Sequence, residues 1–198
     1  MMRIIECEQG SEEWATARLG IPTSSKFATV MAKGEGKTRR EYMLKLAGEI
    51  INGQPMESYS NGHMERGKVM EEEAREFYAY TRKVEPQRVG FIRTDSAGCS
   101  PDSLIGTDGG LEIKTALPHI LIDFLLKKDF PPSHKAQVQG SLWITGRDYW
   151  DLLVYYPGIP KFVVRATPDK EYIANLASEV DRFNGELQDV VAKVRAYA

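Results

Sequence analysis

The chain is poor in the residues from which metal cages and disulfide frameworks are made. Cys7 and Cys99 are its only two cysteines, His63, His119 and His134 its only three histidines, and none stands in the paired spacing of a zinc site. This leaves a reduced protein without structural metal as the simplest reading. Nowhere is there an apolar run of about eighteen residues, so no membrane span is expected. Met1-Met2-Arg3-Ile4-Ile5-Glu6 lacks the apolar core of a signal peptide, which points to the cytoplasm. Positive charge is not in excess either. The formal charge of −2 argues against a protein that coats nucleic acid by bulk electrostatics, but not against one with a local basic channel. Internal repeats and low-complexity tracts are absent. With 42% hydrophobic residues, a length of 198 suits one globular domain over residues 1–198.

What is present centres on Ser100 to Lys114. Leu111-Glu112-Ile113-Lys114-Thr115 alternates apolar and polar residues, the period of a strand with one buried face, so Glu112 and Lys114 leave from the same side. Asp108-Gly109-Gly110 is a turn signal, and Asp102-Ser103-Leu104-Ile105-Gly106 reads as the preceding strand. A hairpin there carries Asp102 back towards Glu112. Two carboxylates and a lysine at the lip of a small sheet suit a hard divalent cation and a positioned water. Pro-Asp, nine residues, then Glu-x-Lys is the spacing of the PD-(D/E)xK nucleases, although an ordinary charged hairpin carries the same letters.

Along the rest of the chain, Ser11 caps a helix that opens with Glu12 and Glu13 and stops at Gly20 and Pro22. Thr23-Ser24-Ser25-Lys26-Phe27 starts a second helix, capped by Thr23 or Ser24. Its hydroxyl-rich N-terminus, with Arg18 a short turn away, reads either as an anion site or as plain capping beside a surface arginine. Lys33 to Arg40 reads as a mobile basic loop; its Gly36-Lys37-Thr38 is no phosphate loop, because Met31 stands where that motif needs glycine. A helix over 40–51 ends at Asn52-Gly53, and 54–61 is polar and irregular. His63 to Thr81 is the clearest helix: Met70, Ala74, Phe77, Tyr78 and Thr81 share a face, Glu71 and Glu73 border it on opposite sides, and Glu72 and Glu76 point away. Periodicity leaves Glu71 and Glu73 as alternatives. Val89 to Thr94 reads as a strand, 118–129 and 133–145 as helices, the second carrying His134, Gln137 and Ser141 nearly in line. A hairpin over 149–156 and 162–166 follows, then a long closing helix over 169–197, expected to break or bend near Gly185. The order implies a mixed β-sheet flanked by helices, an α/β fold with a restriction-endonuclease-like core.

Five separated segments together resemble the phage lambda exonuclease, or YqaJ-type viral recombinase, family. They are Trp14-(x)3-Arg18-Leu19-Gly20-(x)2-Thr23-(x)1-Ser25, Gly67-Lys68-(x)2-Glu71, Ser100-Pro101-Asp102, Leu111-Glu112-Ile113-Lys114 and Ala136-Gln137-Val138-Gln139-(x)3-Trp143. The resemblance implies a Mg2+-dependent exonuclease, with Mn2+ able to substitute, that digests one strand of duplex DNA from its 5′ end. Such enzymes release mononucleotides, leave a 3′ single strand, form ring-shaped homotrimers and work with a phage single-strand annealing protein in the host cell. Carried over by position, Asp102, Glu112 and the Ile113 carbonyl would hold metal, and Lys114 would orient or deprotonate the attacking water. Glu71 would be a further acid, Gln137 a residue of the active-site helix, and Arg18 and Ser25, with neighbouring Thr23 and Ser24, the 5′-phosphate pocket. His134 stands where the family enzyme has tyrosine, and Asp95 matches a further acidic position. A site-specific endonuclease on the same core and an inactive DNA-end-binding protein are the rival readings.

Overall fold

A computed structural model describes residues 1–32, 36–56 and 62–197, residues 62–68 by their backbone alone. A short strand β1 (Arg3–Ile5) precedes α1 (Glu12–Ala17), whose cap Ser11 accepts from the Trp14 amide. A 3-10 turn (Ser24–Lys26) runs into α2 (Phe27–Val30), followed by α3 (Lys37–Asn52) and α4 (Gly62–Arg82). Five strands come next: β2 (Pro86–Gln87), β3 (Phe91–Arg93), β4 (Gly98–Cys99), β5 (Ser103–Ile105) and β6 (Gly109–Thr115). Helices α5 (Pro118–Lys127) and α6 (Pro132–Thr145) lead to β7 (Tyr149–Tyr155), β8 (Phe162–Ala166) and the closing helix α7 (Lys170–Arg195).

The main sheet has the order β2-β5-β6-β7-β8, antiparallel except for the parallel pair β6–β7, which α5 and α6 connect. A small sheet, β1-β3-β4, stands beside it. Strand parity divides the core. Leu111, Ile113, Leu153 and Tyr155 pack on Met70, Ala74 and Tyr78 of α4. Trp150 faces the other way, into a cluster with Val138 and Leu142 of α6 and Leu176, Val180, Phe183 and Leu187 of α7. Buried on both faces, β7 has a nearly continuous apolar run; Asp151 is tolerated there because Arg165 and the Tyr78 hydroxyl bind its carboxylate. Gly110 permits this closeness: a Cβ there would stand 2.3 Å from the Trp150 ring. The stripe Leu176, Val180, Phe183, Leu187, Val191 holds α7 on the core, each large side chain contributing about 1.5–3 kcal/mol.

This is the expected restriction-endonuclease-like core, with several local differences. No break occurs at Gly185: α7 runs as one helix from Lys170 to Arg195, and since Gly185 lies off the apolar stripe with open space beside it, the glycine costs helix propensity without breaking packing. Strands β1, β2 and β4 are too short to show a period, and the strand expected over 89–94 covers only β3. The central turn falls at 106–108, before rather than at Gly109-Gly110, because those glycines already pair in β6. Of the expected basic loop, 33–35 lie outside the described residues. Lys37 to Arg40 open α3 instead, and Arg39 is buried in a two-pronged pair with Glu186. Residues 57–61 of the polar stretch and the side chains of His63 and Lys68 also lie outside.

Candidate active site

The site grows from the open end of the β5–β6 hairpin. Ser103 pairs with Leu111, which makes Asp102 and Glu112 the next cross-strand neighbours. The Ile113 amide donates to Asp102 Oδ2 at 2.6 Å, fixing the carboxylate against the β6 edge. On the face away from α4, Lys114 Nζ lies 2.7 Å from Glu112 Oε1. Gln137 reaches down from α6 and donates to that same oxygen at 2.5 Å. Glu71 comes from α4 on the other side of the hairpin, its Oε1 held at 2.6 Å by Arg75. Five of the residues singled out in the sequence therefore meet, although they lie on three separate stretches of chain.

Their charges interact strongly. Burial, and then the charges of Glu112 and Glu71, push the Asp102 carboxyl well above the ordinary carboxylate range, against the pull of the Ile113 amide and Lys114. For Lys114 burial alone would favour the neutral amine, but Glu112, Asp102 and Glu71 together outweigh it and raise the group, so it is an ammonium. His134, half-buried on α6, is lowered by burial and by the charge of Lys114, which makes it a neutral imidazole at neutral pH.

This donor set fits a hard cation. Each carboxylate has one oxygen anchored (Asp102 Oδ2, Glu112 Oε1, Glu71 Oε1), and the second carries no hydrogen bond among the described residues. A strand residue sends its N–H and C=O to the same edge. The Ile113 carbonyl therefore faces the Asp102 side, beyond Leu111, the last residue of β6 paired with β5. Among the described residues no three Asp, Glu, His or Cys side chains converge into a cage. Carboxylate and carbonyl oxygens are the donors that hard divalent cations take.

A second group of residues adjoins this one. Arg18, half-buried, has its guanidinium 3.9 Å from the Trp14 ring centroid, and its Nη1 and the Trp14 indole N–H both donate to Ser100 Oγ, at 3.0 and 2.9 Å. Ser100 lies two residues before Asp102, so the arginine is tied directly to the strand that carries the carboxylate. The hydroxyl-rich segment differs from its expected form. It is a 3-10 turn rather than a full helix start, and Thr23 makes no side-chain cap. The Thr23 amide donates to Tyr42 Oη, and Ser24 is buried with its hydroxyl against Ser141. Thr23 and Ser24 thus serve packing, the second because Gly140 lets Phe27 and Ser24 press onto α6, where a Cβ would meet the Phe27 ring at 2.3 Å. Ser25 alone of the three is exposed, 3.4 Å from Thr23 Oγ1. Asp95 stands apart in the bend between β3 and β4, paired with Arg3 and the N-terminal amine.

Sequence reasoning overlooked Arg75 and Gln9. Gln9 Nε2 bridges the Val89 and Pro101 carbonyls, holding the residue before Asp102 in place. Arg75 sits four residues after Glu71 and beside the buried Ala74, a helical spacing that was available to flag it. Glu72, expected to point away, is half-buried and binds Arg75 and Arg88, because the β2–β3 connection folds back over this end of α4. Glu73, the other border acid, accepts from Tyr155 Oη at 2.9 Å, away from the cluster.

A family model for a YqaJ-like viral recombinase domain matches residues 13–148. Two crystal structures of an alkaline exonuclease from Laribacter hongkongensis, one in complex with dAMP, are 30% and 31% identical to the chain. Both cover 94% of it and 97% of their own length, with a TM-score of 0.86. A phage related exonuclease from Haemophilus somnus 129PT is 13% identical over 88% of this chain and 96% of its own, with a TM-score of 0.69, a likeness of fold alone. No curated protein matches the chain.

Proposed function

Because the chain belongs to the YqaJ-like viral recombinase family, we propose that it is a Mg2+-dependent 5′-to-3′ exonuclease acting on the ends of double-stranded DNA. In this reading residues 1–198 act as one nuclease domain in phage-type recombination, releasing mononucleotides and leaving a 3′ single strand. The observation that carries it is the convergence of Asp102, Glu112, Lys114, Gln137 and Glu71 at one hairpin end. The likeness to an alkaline exonuclease that has been crystallised with dAMP supports a mononucleotide product.

Asp102, Glu112 and the Ile113 carbonyl would hold Mg2+, or Mn2+ in its place. The bound cation supplies polarisation of the scissile phosphate and hydroxide at neutral pH. The chain's own residues do the rest. Lys114, held as an ammonium by three carboxylates, donates hydrogen bonds to a water or a phosphoryl oxygen rather than taking a proton. Gln137 locks Glu112 in one rotamer, and Glu71 adds negative charge beside Asp102. Neutral His134 offers a ring to stack or a nitrogen to bind phosphate without adding charge beside Lys114. Arg18 and Ser25 receive the 5′ phosphate, and since every cut creates a new one, the same pocket serves each cycle. A closed homotrimer suits a chain of net charge −2, because enclosure replaces part of the electrostatic grip on DNA. The family points to a single-strand annealing protein as partner, in the cytoplasm of a bacterial host.

Digestion of end-labelled linear duplexes bearing 5′ phosphate or 5′ hydroxyl, with and without Mg2+, tests this beside a covalently closed circle. Expected are metal-dependent release of 5′-labelled mononucleotide, preference for the phosphorylated end and an intact circle. A nicked or cut circle would favour the endonuclease. Linear DNA left whole in Mg2+ and in Mn2+ would overturn the reading.

A further inference from the structure

Arg75 is buried on α4, its side chain 9% exposed, and its guanidinium meets four acceptors. Nε donates to Ser103 Oγ at 3.0 Å and Nη1 to Glu72 at 2.5 Å. Nη2 is shared between Glu71 Oε1, at 2.6 Å, and the main-chain carbonyl of Asp102, at 3.3 Å. The Ser103 hydroxyl donates to that same carbonyl at 2.5 Å. One planar cation therefore joins the helix carboxylate to the peptide unit that carries the strand carboxylate. Glu72, itself bound by Arg88, braces the guanidinium from outside.

From this geometry we infer that Arg75 is a positioning residue of the proposed nuclease site, setting the separation and aim of Glu71 and Asp102 and thereby the affinity of the site for a divalent cation. An exposed helical pair at this spacing would contribute little. Here the cation is buried, and removing it would leave Glu71 beside Asp102 and Glu112 without the group that holds its Oε1, with the charge of Lys114 shared among all three. Packing cannot take over its task. A cavity of about 580 Å³ opens on this side of the hairpin, with Glu71, Glu72, Arg75, Arg88 and Asp102 in its wall, so among the described residues no side chain presses Glu71 into place from there. Only a fork reaches Ser103, Glu72, Glu71 and the Asp102 carbonyl together; a lysine ammonium keeps the charge and loses the geometry.

The inference rests on the nuclease reading, and the test separates the two. Mn2+ binding to DNA-free protein is measured by electron paramagnetic resonance, together with kcat and KM on linear duplex and the melting temperature, for wild type, Arg75→Lys and Glu72→Gln. Partners that orient metal ligands are typically worth about 10–100-fold in affinity or activity. Arg75→Lys should weaken Mn2+ binding and lower kcat within that range while KM for DNA stays within about threefold. Glu72→Gln, which removes only the outer brace, should show a smaller loss of both. A structural role alone would lower the melting temperature and leave Mn2+ affinity and kcat unmoved, and that result overturns the inference. Should Arg75→Lys fail to fold, Glu72→Gln decides: unchanged Mn2+ affinity and kcat there refute the proposal. Wild-type protein that neither binds Mn2+ nor degrades DNA would instead sink the nuclease reading.

Discussion

Replacing Asp102 by asparagine should make the metal-free protein more stable and leave it inactive. Asp102 and Glu112 follow directly on the last paired residues, Ser103 and Leu111, and residues opposite each other across two strands have Cβ atoms about 5 Å apart. Two like charges about 5–6 Å apart at an effective dielectric near 20 repel by about 3 kcal/mol. Lys114 offsets part of this, and the amide oxygen of asparagine still accepts from the Ile113 N–H, so the net gain is about 1–2 kcal/mol. For a chain of this length that is a rise of roughly 2–8 °C in melting temperature. The sign follows from linkage. A carboxyl raised in the fold binds its proton more tightly there than in the unfolded chain, so its contribution is full at acid pH and lost as pH rises through the folded value. Wild type and variant should therefore melt together near pH 4 in EDTA and separate as pH climbs, the variant ahead at pH 8. Mn2+ should close the gap, since wild type gains about 1.4 kcal/mol at a cation concentration ten times Kd and the variant gains less. Melting curves across pH in EDTA and in Mn2+ check this. A variant no more stable than wild type at pH 8 in EDTA would refute the repulsion argument.

Lys114→Ala should abolish cleavage while Mn2+ affinity holds or tightens, because the ammonium opposes the cation; calorimetry showing lost binding would mark Lys114 as a structural support instead. Arg18→Ala should erase the preference for 5′-phosphorylated over 5′-hydroxyl duplex, a charge-assisted contact of about 1.5–3 kcal/mol, or roughly ten- to a hundred-fold in the ratio of initial rates. An unchanged ratio would show that the guanidinium serves only Ser100 and Trp14. Tyr78→Phe removes the 2.6 Å hydrogen bond to buried Asp151 and should cost about 1.5–3 kcal/mol in denaturant melts, with kcat near wild type; equal stability would mean Arg165 alone satisfies that carboxylate.

The strand-period alternation of 111–115 and the turn letters before it were enough to place Asp102, Glu112 and Lys114 at one hairpin end, because a two-strand register is a local matter. The apolar stripe of α4 was legible for the same reason: a single helix face follows from spacing alone. Which border acid of α4 turns towards the hairpin was not legible from periodicity, and only the resemblance over Gly67-Lys68-(x)2-Glu71 pointed to Glu71. Glu71 and Glu73 are equivalent on the helix, and only the docking of α4 across β6 and β7 sends one to Asp102 and the other to Tyr155. The same limit hid the fate of Thr23 and Ser24, whose hydroxyl-rich run suggested open donors until Tyr42 and Ser141, from two other helices, closed on it. Spacing along one element tells which residues share a face. What that face meets depends on contacts between residues far apart in the chain, and those exist only once the sheet and its helices have packed.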